Sequence, residues 1–323
     1  MEDKKLISEK ICIGVSSCLL GEEVRWNGEH KQHRYTKDIL GRFFTWIPIC
    51  PEMEVGMGVP RETVSLYGDP ENPKMIGSKS GTNWTAKMNI YLTKRTRELK
   101  DSNLCGYIFK SKSPSCGLER VPVYSEPGSS SIRRSRGMFA NAFIKRFPLI
   151  PVEDEERLND PKIRGNFIVR VFSYHRLMKL FEKKANAGVL VKFHTEHKFL
   201  LLSHNRKNYQ ILGKLVGGLK KGKWMDVRNA YSKIFMETLT FKSTAKKNTD
   251  VLMHMMGFLK NLLSTEEKRG VLEAIESYRN EWTPLIVPIT LIQHYARKHE
   301  IEYLQSQIYL NPHPKELLLR NHV

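Results

Sequence analysis

Cysteine is the residue type here most able to do chemistry, and all five cysteines, Cys12, Cys18, Cys50, Cys105 and Cys116, lie in the first 116 of 323 residues. An odd number in a chain with no sign of export argues against a disulfide framework and for metal, cluster or nucleophile chemistry in one part of the protein. Structural zinc usually uses CxxC knuckles and thioredoxin-type redox chemistry also needs CxxC, and no such pair occurs. Widely spaced single cysteines can ligate an iron–sulfur cluster only if the fold gathers them. The alternative for Cys18, Cys50 and Cys116 is burial as small apolar side chains, and spacing alone leaves both open. Cys12 and Cys105 sit inside apolar runs and read as core residues.

The elements that would position these residues are legible. ICIGVSS at 11–17 reads as a buried parallel strand running into Cys18, TWIPIC at 45–50 as a second closing on Cys50 before Pro51, and 104–110 as a third, followed by a Ser/Pro loop with Cys116. Helices are expected over Asn83–Leu99, with Asn83 as cap, and Gly137–Phe147, then the short strand PLIPV. Alternating strands and helices predict an open, mostly parallel α/β sheet over residues 1–160. In such sheets ligands bind at the carboxyl ends of the strands, where all three cysteine loops would meet.

EDEERLNDPKIR at 153–164 is charged, contains Pro, and reads as a domain boundary. Beyond it apolar residues recur at helical spacing over 166–185, 194–217, 224–241, 249–263, 265–282 and 287–300. Residues 161–323 are therefore expected to form an all-α helical bundle.

Charge narrows the partners. The chain has 53 Lys+Arg against 34 Asp+Glu, a net +19, and a pI near 9.7. Both halves contribute, with 24 basic against 16 acidic residues in 1–150 and 29 against 18 in the remainder. Nucleic acid is the natural partner of such a chain. No apolar run is long enough to span a bilayer, and MEDKKLISEK lacks the apolar segment and cleavage site of a signal peptide, so the expected location is cytoplasmic.

VSSCLLGEEVRWNGEHK at 15–31, CPEMEVGMGVPRE at 50–62 and KSKSPSCG at 110–117 resemble the three signatures of the thiouracil desulfidase family. KFHTEHKFLLLSHN at 192–205 and YQILGKLV at 209–216 resemble a helical domain fused to it in one bacterial subgroup, and the whole chain is similar to that fusion, the tRNA 4-thiouridine desulfidases. MEVGMG at 53–58 departs from the leucine- and glycine-rich turn common in the family. The resemblance implies a [4Fe-4S] cluster held by Cys18, Cys50 and Cys116, with one iron left open for a thiocarbonyl sulfur. It also implies that Glu52 and Ser113 match the family's catalytic pair. Glu52 would then activate water while Ser113 bonds the base or relays a proton, converting 4-thiouridine in tRNA to uridine. Desulfuration of free thiouracil or thiolated nucleotides, and a non-catalytic iron–sulfur RNA-binding regulator, are the alternatives. Read alone, Glu52 after Pro51 is a helix N-terminal acid and Ser113 before Pro114 a turn initiator.

The remaining candidates concern substrate binding. Arg25, Asn27 and His30 in the first loop line the pocket or bind phosphate, or are solvated loop residues. Arg133, Arg134 and Arg136 form a basic loop beside three serines. Arg206, Lys207, Lys214, Lys220, Lys221 and Lys223, with Tyr209 and Trp224 interleaved, could bind phosphates and stack an unpaired base, or form a solvated helix face. His194 and His197 lack the spacing of a helical zinc motif and read as packing or capping residues.

Overall fold

The computed structural model describes residues 11–126, 129–182, 186–219 and 224–321, so the N-terminal segment read above lies outside the described residues, as do Lys220, Lys221 and Lys223. The chain divides into two compact units, Met1–Ile163 and Arg164–Val323.

The first unit is α/β, as the strand–helix alternation predicts, but it contains two sheets. The parallel sheet has the order β2-β1-β5-β8, with β1 Ile11–Ser16, β2 Phe44–Ile49, β5 Gly106–Phe109 and β8 Val152–Asp154. Its central strands are buried on both faces, which explains their unbroken apolar runs. Gly14 is required on β1 because the Tyr107 ring packs against it, 2.2 Å from where a Cβ would stand. Tyr107 also stacks on Phe109 at 4.1 Å between centroids and meets Phe139 and Phe143 edge-on or tilted, tying the sheet to helix Met138–Arg146.

The second sheet, β4-β3-β6-β7, comprises β3 Val64–Tyr67, β4 Lys74–Gly77, β6 Val121–Tyr124 and β7 Ser131–Ser135. It is mixed, with a parallel β3–β6 pair at its centre. The sequence does not announce it, because its strands are four or five residues long. Of the three arginines read as a loop beside the serines, Arg133 and Arg134 lie on β7, opposite Val123 and Pro122, and Arg136 follows the strand. Pairing to β6 supplies the extended backbone that their local polarity does not suggest.

Two boundaries shift. The N-cap position of helix Thr85–Glu98 is Trp84, one residue later than expected and without a side-chain capping bond, while Asn83 Oδ1 accepts from Thr85 N. The strand expected at PLIPV starts only at Val152, so the acidic run opens on a strand: Glu153 and Asp154 belong to β8, and Glu153, Asp154 and Glu155 are buried.

The second unit is helical. It comprises Pro161–Glu182 (which begins just before the unit boundary), Ala187–Glu196, Lys198–His204, Arg206–Gly217, Trp224–Thr238, Ala245–Leu259, Thr265–Arg279, Ile286–Lys298 and Glu302–Gln305. The stretch expected as one helix over 194–217 is cut twice. His197 ends one helix and precedes the next, and Asn205 adopts extended backbone with its side chain accepting from Asn208 N. Ser264 and Glu267 form a reciprocal capping box at the start of Thr265–Arg279. Among the described residues no helix is long and apolar enough to cross a membrane.

Four histidines of this unit are buried and held neutral. Burial pushes His194 down to about 4, His197 to about 3, and His204 and His313 to about 4. His194 stacks face to face on Tyr209, and His197 stacks on Phe193 and bonds its carbonyl through Nδ1 at 2.8 Å, so both pack the core. Unfolded histidine protonates near pH 6.5. Between that pH and about 4 the unfolded chain therefore binds protons that the folded chain refuses, and stability falls as pH falls. The slope is about 1.4 kcal/mol per pH unit for each histidine. The helical unit is expected to lose amide protection before the α/β unit on acidification from pH 7 to 4, measured by hydrogen-exchange mass spectrometry. Equal or reversed loss in the two units would contradict this assignment.

Candidate active site

The parallel sheet brings three cysteine-bearing turns together. β1 lies between β2 and β5, with Ser16 level with Ile49, so the strands on its two sides carry consecutive crossovers in opposite directions. The carboxyl edge beside β1 is thus the point where strand order reverses, the usual ligand crevice of open α/β sheets. Cys18 lies in the turn Ser17–Leu20 directly after β1, Cys50 caps the short helix Pro51–Glu54 directly after β2, and Cys116 lies in the loop after β5. All three line one cavity of about 460 Å³.

The Cys116 loop is docked rather than free. The first N–H groups of helix Met138–Arg146 would lack partners, and the loop satisfies them: Met138 N donates to Pro114 O at 3.0 Å and Phe139 N to Ser115 O at 2.9 Å. Gly137 N donates to Gly117 O at 2.8 Å, and a Cβ on Gly137 would lie 2.4 Å from Ser115 O. Ser113 Oγ accepts from Ser115 N at 3.2 Å and Cys116 N at 3.1 Å, closing the turn from inside.

Glu155 fixes the other end of this loop. Its carboxylate accepts from Ser111 N at 2.7 Å and Ser111 Oγ at 2.9 Å, and it pairs with Lys110 Nζ. Lys110 N in turn donates to Ser16 Oγ at 2.9 Å, linking the loop to the end of β1. Glu155→Ala would leave Lys110 charged and largely buried without its partner, at a cost of about 3–5 kcal/mol. Urea unfolding should show this loss, and Lys110→Met with Glu155→Met should recover most of it; a loss below about 1 kcal/mol for Glu155→Ala would show that the pair does not hold the loop.

Glu52 enters the same cavity and has both oxygens engaged. Oε2 accepts from Arg61 Nη2 at 2.5 Å and Nε at 3.2 Å, and Oε1 accepts from Ser115 Oγ at 2.6 Å and, more weakly, from Ser113 Oγ at 3.4 Å. Arg61 is itself fixed by Gly58 O at 2.8 Å and Val24 O at 3.0 Å. Glu52 and Arg61 are 14% and 6% exposed at the side chain, so water competes little for the pair. Arg61 and Ser115 were missed by sequence reasoning although both fall inside the quoted motifs. Their signal is tertiary: Ser115, not Ser113, makes the short contact, and it is fully buried.

Burial pushes the Cys18 thiol up to about 12, with Cys50 adding to the effect and Lys110 opposing it. Burial also raises Cys50 and carries Cys116 well above the ordinary range, with Cys50, Glu52 and Cys18 adding to the latter. Three such sulfurs facing one space can all ionise only beside a cationic centre. Among the described residues no group of three His, Cys, Asp or Glu side chains is placed to hold a single metal ion. The donor set is soft, all-sulfur and spread across three strand ends, which suits an iron–sulfur cluster rather than one ion.

The other expected binding residues divide. Arg25 lines the cavity and pairs with Glu29 at 3.6 Å. Asn27 is tied to Glu29 by its amide at 2.7 Å, and neither it nor His30 lines the cavity. Arg134 is exposed on β7 outside the cavity, and the side chain of Arg133 lies outside the described residues. Lys31, Lys110, Lys112 and Trp26 line the cavity without having been singled out. In the helical unit Arg206, Lys207 and Lys214 are all exposed, and Arg206 lines a second cavity. Trp224 packs against Phe181 at 6.3 Å between centroids.

Comparison with known proteins adds five findings. Residues 13–155 match the family model of 2-thiouracil desulfurase, and residues 198–314 match that of a family of unknown function, DUF1722. The chain is 27% identical over 165 residues to the uncharacterized protein YbgA of Escherichia coli (strain K12), covering 51% of this chain and 98% of that protein. It is 28% identical over 151 residues to the uncharacterized protein YbbK of Bacillus subtilis (strain 168), covering 45% and 97%. A solved structure, the [4Fe-4S]-dependent thiouracil desulfidase TudS, is 23% identical, covers 46% of this chain and 94% of its own, and has a TM-score of 0.37.

Proposed function

With residues 13–155 forming a thiouracil desulfurase-family domain joined to a DUF1722 domain, we propose that the protein is an iron–sulfur-dependent desulfidase acting on 4-thiouridine in tRNA. The observation that carries this reading is the meeting of Cys18, Cys50 and Cys116 with Glu52 in one cavity at the switch point of the parallel sheet. Overall, a thiocarbonyl and water give a carbonyl and hydrogen sulfide, with no net electron transfer.

Cys18, Cys50 and Cys116 would hold the [4Fe-4S] cluster. Bound there, it would supply a thiophilic Lewis acid to polarise the thiocarbonyl. The protein's own groups do the rest. Arg61 and Ser115 hold the Glu52 carboxylate in one orientation, and the 3.4 Å contact to Ser113 is the weakest of its bonds, so a water enters there at least expense. Glu52 Oε1 takes the proton of that water as its oxygen attacks C4, and the proton leaves with the sulfide. Trp26, 46% exposed at the cavity, offers an aromatic face to the pyrimidine.

The charge favours a folded RNA over a free base. A small thiopyrimidine needs a pocket but not a net +19 spread over both halves, whereas each phosphate contact on RNA rewards a surface cation. Enzymatic extraction of the base from its stack would follow. Competing bulk tRNA, 4-thiouridine nucleoside and thiouracil for the reconstituted protein tests the substrate. Preferential consumption of 4-thiouridine in tRNA is expected. Faster loss of sulfur from the free base or nucleoside would overturn the tRNA assignment while leaving the desulfidase.

A further inference from the structure

The helical unit contains a cavity of about 380 Å³ at the junction of three helices, Lys198–His204, Arg206–Gly217 and Ala245–Leu259. Its residues follow helical spacing: 198 and 202 on the first helix, 206, 209 and 210 on the second, and 247, 250, 251 and 254 on the third. Leu202 and the buried Val251 give it an apolar floor. Around this floor stand three cations, two aromatic rings and one carboxylate.

Each of these groups is set for one kind of ligand. Lys198 lies over the Phe199 and Tyr303 rings at 5.2 and 5.8 Å, and Arg206 forms no ion pair among the described residues. Lys247 donates to His204 O at 2.7 Å and Lys242 O at 2.9 Å, which leaves one of its three N–H groups for a ligand. Tyr209 is stiffened by its parallel stack on His194, 5.1 Å between centroids and 5° between planes. His254 stacks on Phe258 at 5.9 Å, and burial, with Lys198 and Arg206 beside it, lowers its pKa. Among the described residues Asp250 is the only carboxylate lining the space.

We infer that this cavity binds one unstacked nucleotide of an RNA strand, its phosphate on Lys198, Arg206 and Lys247 and its base against Tyr209 and His254, with Asp250 accepting from a ribose hydroxyl or base amine. The inference deepens the tRNA reading above by naming where the helical unit holds the RNA. Cations and rings converging on one apolar floor are the composition of a single-strand nucleic-acid pocket. A plain basic surface would have neither floor nor rings.

Full-length protein is titrated with labelled bulk tRNA at several salt concentrations, and separately with uridine 5′-monophosphate and inorganic phosphate. Lys198→Gln with Arg206→Gln should weaken tRNA binding about tenfold and lower the salt slope by nearly two. Lys207→Gln with Lys214→Gln, the same loss of charge outside the cavity, should change binding no more than about threefold by screening alone. Equal effects of the two pairs would mean diffuse surface attraction and would overturn the site. Uridine monophosphate should saturate the parent protein and not the cavity variant; if inorganic phosphate bound as well as the nucleotide, the base would have no place there and the assignment would fall. Circular dichroism and urea midpoints check folding, and Arg206→Gln alone serves if the pair unfolds. Desulfuration of free 4-thiouridine should be unchanged by either pair, so failure of this site and failure of the desulfidase reading give different results.

Discussion

Cys116→Ala should yield a folded protein that neither retains a cluster nor turns over, with visible iron–sulfur absorption and sulfide release both at background. No other thiol can take its place. Cys12 and Cys105 belong to the body of the sheet, paired backbone to backbone at 2.9 Å, below the strand ends where the cavity opens. The loop cannot slide to offer another donor either, because helix Met138–Arg146 holds Pro114 and Ser115 by their carbonyls and Glu155 holds Ser111. The substitution removes one sulfur from a packed site, which should cost roughly 1 kcal/mol of stability. Loss of function without unfolding is therefore the expected pattern. Cys12→Ala and Cys105→Ala should keep both absorption and turnover. Retention of a full cluster in Cys116→Ala would remove this residue from the ligand set.

Glu52→Gln should lower turnover by about 10²–10⁴-fold, the usual worth of a positioned acid–base group, while leaving cluster absorption intact. The amide can still accept from Ser115, but it cannot take a proton from water. It also leaves Arg61, 6% exposed, without its counter-charge, so this variant should be measurably less stable as well. Glu52→Gln with Arg61→Met separates the two effects: the second change should restore stability and leave turnover low. If turnover returned with stability, the carboxylate would be a structural partner of Arg61 and not the base.

The parts of this protein that could be read from sequence were those fixed by local pattern. A short apolar, β-branched run leading into a cysteine-bearing loop reads as a buried strand, and three such runs in one parallel sheet bring their cysteine loops to one edge. Helical periodicity between residues 166 and 300 was also plain, though not the two breaks at His197 and Asn205. Contacts that depend on the closed fold were not. Arg61 reaches Glu52 across a turn whose shape depends on Gly56 and Gly58 at positive φ. Glu155 meets Lys110 only because β8 lies beside β5, 45 residues apart in sequence, and its acidic neighbours looked like a linker for want of that partner. The second sheet escaped notice because VPVY is short and interrupted by Pro122, while SIRRS is short and polar, so neither signals a strand before they pair. The cavity of the helical unit is built from residues on three helices, of which only Arg206 and Tyr209 stood in a visible basic–aromatic run.

The central claim is that three cysteines and one carboxylate form a cluster-dependent desulfidase site for RNA. It is tested most directly by anaerobic reconstitution of the full-length protein with iron and sulfide, followed by nucleoside analysis of bulk bacterial tRNA incubated with it. The account predicts close to four irons per chain and conversion of 4-thiouridine to uridine with release of an equal amount of sulfide. Reconstituted protein that binds its cluster yet leaves every thiolated nucleoside and free thiouracil untouched would contradict it.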